Sequence, residues 1–204
     1  MCGRKTGKME TSYLFEIKRQ LVHLLVGFAI ALGVYHLEPV AGKYVVVPLL
    51  AAVSFMLVLP RIGAELKLHN HLLFHFERPK DIESFPYRGA IFYALGVSPA
   101  ILLLDVNTAC AIIAILSIGD STSTIVGKSV GQIRIGHKSL EGSLAFIFFS
   151  FIGAWFFLPQ QPVYALLLSF LGAVIELSNI YHDHLLMDDN LLVPIALTLA
   201  ALLS

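Results

Sequence analysis

The chain has 204 residues, and its 14 Lys and Arg are balanced by 14 Asp and Glu, so the formal net charge is zero. Only 14% of residues are charged, 57% are hydrophobic and mean hydropathy is +0.79, whereas a soluble domain is about 25% charged and about 45–50% apolar. A 22.4 kDa globule cannot hide that excess from water, which excludes a soluble enzyme, a disordered linker and a nucleic-acid binder with a basic stripe.

Crossing the hydrocarbon core takes roughly 17–25 apolar residues in a helix. In chain order the candidate spans are Leu21–Leu37, Tyr44–Pro60, Gly89–Leu104, Val106–Val126, Ser143–Leu158, Val163–Ile180 and Leu191–Ser204. Pro48, Pro99 and Pro194 fall inside spans, where neighbouring helices absorb a kink. Asp105 and Pro159-Gln160-Gln161-Pro162 mark tight connections. The pattern predicts an all-α, polytopic integral membrane protein of six to seven transmembrane helices. One domain covers residues 1–204, with a cytoplasmic tail at 1–16 and cytoplasmic loops at 61–88, 127–142 and 181–190. Cys2 and Cys110 form neither a disulfide framework nor a zinc set. Arg4, Lys5 and Lys8 are followed by Glu10 and Glu16 with no small-residue cleavage site, so no cleaved signal peptide is expected.

Lys and Arg set the orientation. Thirteen of the 14 fall in the tail through Arg19, in Arg61–Arg88 and in Lys128–Lys138; only Lys43 lies on the opposite side. That asymmetry predicts a cytoplasmic N terminus.

Ionisable groups within spans are costly and by default mark a functional site. Asp120 and Glu176 are the clear cases, and the predicted orientation puts both in the cytoplasmic leaflet at similar depth. No cation falls within the spans at that depth to make them a structural pair. Ser117, Asp120, Ser121, Thr124 and Lys128 follow helical spacing and form one polar stripe. Arg19 and His23 form an i, i+4 pair on the first span. Gly127-Lys128-Ser129, Gly131, Gly136-His137-Lys138-Ser139 and Glu141-Gly142-Ser143 follow the fourth span, and Asp188-Asp189-Asn190 precedes the last.

Glycine backbone that approaches phosphate, lysines that supply charge and carboxylates that hold a hard cation are the parts of a Mg²⁺-polyphosphate site. Each part has a plainer alternative. Lys128, Arg134 and Lys138 also serve as topology-setting charges, and Asp188-Asp189-Asn190 also reads as a helix N-cap. Gly127-Lys128-Ser129 fails as a Walker A loop because position 122 is Thr. His69-Asn70-His71 with His75, and His182-Asp183-His184, read as solvated histidines or as metal ligands.

The run Gly119-Asp120-Ser121-Thr122-Ser123-Thr124, Gly127-Lys128, Gly131 and Lys138-Ser139-Leu140-Glu141-Gly142-Ser143 resembles the CTP-dependent polyprenol kinases. That family includes dolichol kinase, phytol kinase and the CTP-dependent diacylglycerol kinase, and is distantly similar to phosphatidate cytidylyltransferases. Lys18-Arg19-Gln20-Leu21-Val22-His23, and Glu176 followed by Asp188-Asp189-Asn190-Leu191, extend the resemblance over nearly the whole chain.

The resemblance implies transfer of the γ-phosphoryl group of CTP to a polyprenol or related lipid alcohol in the bilayer. Asp120, Asp188 and Asp189 would hold Mg²⁺. Lys128 and Lys138 would neutralise phosphate charge, with Arg19, Gly119, Thr124, Gly127, Gly131, Ser139 and Gly142 around the nucleotide. Glu141, Glu176 or His23 would position or deprotonate the alcohol. Transfer of CMP to a lipid phosphate, a small ion-coupled transporter and an assembly scaffold stay open as alternatives, as do the lipid's identity and the oligomeric state.

Overall fold

The structure, a computed structural model, describes residues 3–62, 73, 77, 79–178 and 188–204. It is an all-α membrane protein. Helix α1 (Gly3–Ala41) has 39 residues and is ~58 Å long at 1.5 Å per residue. It is longer than the predicted first span because the helix continues through the segment expected to be a tail. Glu16, Arg19 and Gln20 therefore sit on its wall rather than in a loop.

A 3₁₀ turn (Gly42–Val46) returns the chain into α2 (Val47–Ile62). There Lys43, the one basic residue expected on the far side, donates to Leu104 O at 2.6 Å and pairs with Glu38 at 3.3 Å. Its ammonium thus satisfies a carbonyl at the end of α4 (Arg88–Leu103), one of the orphans every helix leaves at its C terminus. A short helix, α3 (Pro79–Ser84), precedes α4.

Helix α5 (Val106–Ser129) is the axis of the molecule. Its first turn is capped by Asp105, whose carboxylate accepts from Asn107 N at 3.0 Å and Thr108 N at 3.1 Å. Every residue from Ala109 to Leu116 is apolar and at most 1% exposed, as expected of a helix surrounded on all sides. Its neighbours are α1, α4, α6 (Leu140–Phe157), α7 (Pro162–Ser178) and α8 (Asp189–Leu203). The molecule is inside-out relative to a soluble bundle. Phe148, Phe156, Leu167 and Phe170 face outward, whereas Ser117, Ser121, Ser150, Ser169 and Glu176 are buried.

Two short strands, β1 (Arg134–Ile135) and β2 (Lys138–Ser139), pair antiparallel between α5 and α6. Gly136 has φ +59° and His137 does not have positive φ, the pattern of a II′ turn, whose first central position is normally Gly. The hairpin was not anticipated, although Ile-Gly-His-Lys carries the Gly-X signal for it.

Candidate active site

One end of the bundle gathers the polar groups. Asp120 of α5, Glu176 of α7 and Asp189 of α8 each offer a carboxylate oxygen, and the three lie within 4.8 Å of one another. Between them the hairpin delivers Lys138, whose Nζ is 2.8 Å from Glu176 Oε1 and 2.7 Å from Asp189 Oδ2. The spans offer no cation at that depth, and the structure brings one from outside them, on the β-hairpin folded back onto the helices. Ser123 donates a further hydrogen bond of 2.8 Å to Glu176 Oε1. Glu176 is 2% exposed, and its other oxygen has no hydrogen-bond partner among the described residues.

Burial works against the Lys138 ammonium, but Glu176, Asp189 and Asp120 outweigh it and hold its pKa above the usual lysine value. The lysine is therefore a fixed positive charge, not a proton donor near neutrality.

Asp188 takes a different place from its neighbour. It accepts from Asn190 N at 3.1 Å as the N-cap of α8 and pairs with Arg88 Nε at 3.3 Å. Burial raises its pKa, against the lowering effects of the Asn190 N–H and Arg88. Of the predicted metal set, Asp120 and Asp189 converge with Glu176, and Asp188 stands beside them as a cap.

The stripe on α5 meets polar groups of α1. Ser121 donates to Gln20 O at 2.9 Å. His23 Nε2 lies 3.9 Å from Asp120 Oδ2, with its ring edge-on to Tyr93 at 5.2 Å. Arg19 and Lys128 share Glu16, at 2.7 Å and 3.3 Å. Glu16 had not been singled out, although its i, i+3 spacing to Arg19 was visible.

The predicted glycines stand where elements pack closely. A Cβ on Gly142 would lie 2.7 Å from Ser123 O and 3.3 Å from Gly127 Cα, and one on Gly131 would collide with Gly127 O. Gly119 likewise faces the Phe146 ring. They allow the backbones of α5, the hairpin and α6 to touch. Ser139 caps α6 by accepting from Gly142 N at 3.1 Å. Glu141 accepts from Gln132 N at 3.0 Å and Ile133 N at 3.1 Å, which fixes the loop before β1 rather than joining the carboxylates. The two histidine clusters, His69-Asn70-His71 with His75 and His182-Asp183-His184, lie outside the described residues.

A cavity of about 1000 Å³ opens at this end. Of the predicted site residues it is lined by Arg19, His23, Asp120, Thr124, Gly127, Lys128, Lys138, Ser139, Gly142, Glu176, Asp188 and Asp189; Gly119, Gly131 and Glu141 are outside the lining. Arg88 and Arg134, which sequence reasoning did not assign to the site, add basic groups. An acidic floor under a basic rim suits an anion held through a hard cation.

No family model matches the chain, and no solved structure does. It is 29% identical over 185 residues to an uncharacterised protein of Methanocaldococcus jannaschii, an alignment covering 88% of each. It is 30% identical over 141 residues to the dolichol kinase of Saccharomyces cerevisiae, covering 67% of this chain but 26% of that enzyme. The protein is thus a helical membrane protein similar, over two thirds of its length, to about a quarter of a dolichol kinase.

Proposed function

We propose that this protein is a membrane lipid kinase that transfers the γ-phosphoryl group of CTP to the hydroxyl of a lipid alcohol of the polyprenol type, at a site on the cytoplasmic face. The observation that carries this reading is the convergence of Lys138 with Asp120, Glu176 and Asp189 at one end of an apolar bundle. The partial similarity to a dolichol kinase supports it. The thirteen-to-one distribution of basic residues supports the orientation.

The donor set fits Mg²⁺: three carboxylates with hard oxygen donors, one of them with an unpartnered buried oxygen. Asp120, Glu176 and Asp189 would hold the ion, which would neutralise charge on the phosphates. In such a transfer little covalent chemistry falls to the protein, so positioning and charge supply most of the rate. Lys138 supplies the fixed positive charge nearest the carboxylates. Arg19, Lys128 and Arg134 line the same cavity and draw the triphosphate into it. Arg19 and Lys128 share Glu16, so the three together leave one net positive charge there.

The ion-coupled transporter is disfavoured by the run from Ala109 to Leu116, which offers no polar group through the far half of α5. The deciding experiment supplies purified protein with Mg²⁺, mixed lipid alcohols and phosphatidic acid, using γ-labelled and then α-labelled CTP. Lipid labelled only from the γ position supports the kinase. Label only from the α position replaces it with cytidylyl transfer, and label from neither, with no CTP binding, removes both.

A further inference from the structure

The cavity does not end at the polar groups. Beyond His23 it continues along an apolar arm walled by Val22, Val26 and Ile30 of α1 and by Leu49, Ala52 and Met56 of α2. The α1 residues recur every four positions and form one stripe, which at 1.5 Å per residue covers ~12 Å of depth. The arm exists because α1 packs along α5 while α2 packs along α4, so the two helices diverge from the 3₁₀ turn that joins them. Val22 and Val26 are exposed, so the arm opens sideways towards lipid.

At the junction of the apolar arm and the polar chamber stands His23. Its Nε2 is buried with no hydrogen-bond partner among the described residues, and its distance of 3.9 Å from Asp120 Oδ2 is too long for a direct hydrogen bond. Asp120 beside it lines the chamber and is partly exposed, so its carboxylate can accept from an O–H there. A single hydroxyl at the end of an apolar chain matches both features.

We propose that the α1–α2 arm binds the tail of a lipid alcohol and delivers its hydroxyl to the polar chamber beside Asp120. The occupant is taken from the lipid-kinase reading, on which the proposal rests. In the transfer the alcohol's O–H bond breaks as its oxygen bonds to the γ-phosphorus. The bond from that phosphorus to the β–γ bridging oxygen breaks, CDP leaves with the electron pair, and the proton is released to water at the open polar end. Ala52 is small and set in the wall of the arm, so a larger side chain there narrows it.

The test is photolabelling of the full-length protein in vesicles with geranylgeraniol carrying a diazirine on its tail, with labelled peptides mapped by mass spectrometry. Label is expected on the α1 and α2 stripes. Excess unlabelled geranylgeraniol should displace it, and Ala52→Phe should reduce it several-fold while melting temperature and Mn²⁺ binding stay unchanged. Label spread evenly over the outer faces of α6 and α7, unaffected by Ala52→Phe, overturns the proposal. Groove labelling without γ-phosphate transfer to any alcohol upholds the binding site and removes the kinase. Transfer with label confined elsewhere removes the groove alone.

Discussion

Nζ of Lys138 lies 2.8 Å from Oε1 of Glu176, a pairing between residues 38 positions apart that joins a two-stranded hairpin to the middle of the bundle's polar end. The lysine also reaches Asp189 at 2.7 Å, so a single ammonium balances carboxylates from two helices. It stands where a divalent cation held by the same oxygens would stand. Lys138→Met should therefore have opposite effects on two measurements. Phosphoryl transfer from CTP should fall about 100-fold or more, while Mn²⁺ binding, followed by electron paramagnetic resonance, should tighten because the internal competitor is gone. Unchanged turnover would remove Lys138 from the chemistry.

Asp120→Asn keeps the shape of the side chain but removes one charge from the three carboxylates. Mn²⁺ binding should weaken and turnover should be lost with no change in melting temperature. EDTA should stop the parent enzyme, and added Mg²⁺ should restore it. Activity that survives EDTA would exclude a metal-assisted route.

Glu141 separates the fold from the site. Because its carboxylate holds Gln132 N and Ile133 N, Glu141→Gln should lower the melting temperature and loosen the hairpin. Mn²⁺ affinity should be retained. A loss of metal binding equal to that of Asp120→Asn would place Glu141 in the site after all.

Gly142→Ala puts a methyl group 2.7 Å from Ser123 O, a backbone atom that cannot swing aside. Separating α5 from α6 in this way should cost about 1–3 kcal/mol, read as a lower unfolding midpoint in detergent. A midpoint equal to the parent's would show that the two helices are not closely packed there.

The pH dependence of Lys138 has a definite sign. Its folded pKa lies above the unfolded value of 10.5, so the stabilisation from its ion pairs is fully present below 10.5 and is lost as pH rises through the folded value. Competitive acylation of lysines as a function of pH should show Lys138 reacting later than an exposed lysine such as Lys128. Earlier reaction would mean that the carboxylates do not surround it.

The sequence was most informative where one physical rule dominates. Hydropathy placed each apolar helix, since lipid leaves a backbone segment almost no alternative to helix. Boundaries were less accurate for α1, which runs on through Tyr13 and Glu16, paired with Ser129 and Lys128 of α5. Asp120 and Glu176 stood out because ionisable groups are rare in spans. Lys138 could be named but not placed, because its position depends on a II′ turn at Gly136 that folds the loop inward. The close approaches at Gly142 and Gly131 and the bonds made by Glu141 were not legible for the same reason: they are contacts between elements, which spacing along one element does not reveal. Asp188 and Asp189 look alike in sequence, and only the start of α8 decides which one caps and which one reaches Lys138.

The burial of α5 on every side has a consequence for biosynthesis. As the polypeptide emerges, α1 and its Gln20 carbonyl, His23 and Glu16 exist before Ser121, Asp120 and Lys128 are made, whereas Lys138, Glu176 and Asp189 are made only later. Helix α5 thus enters the bilayer with a waiting partner for its polar stripe, and its most expensive carboxylate need not face acyl chains alone. The lysine that balances the acidic cluster is then laid down with the hairpin, before Glu176, the most deeply buried of the carboxylates, has been synthesised.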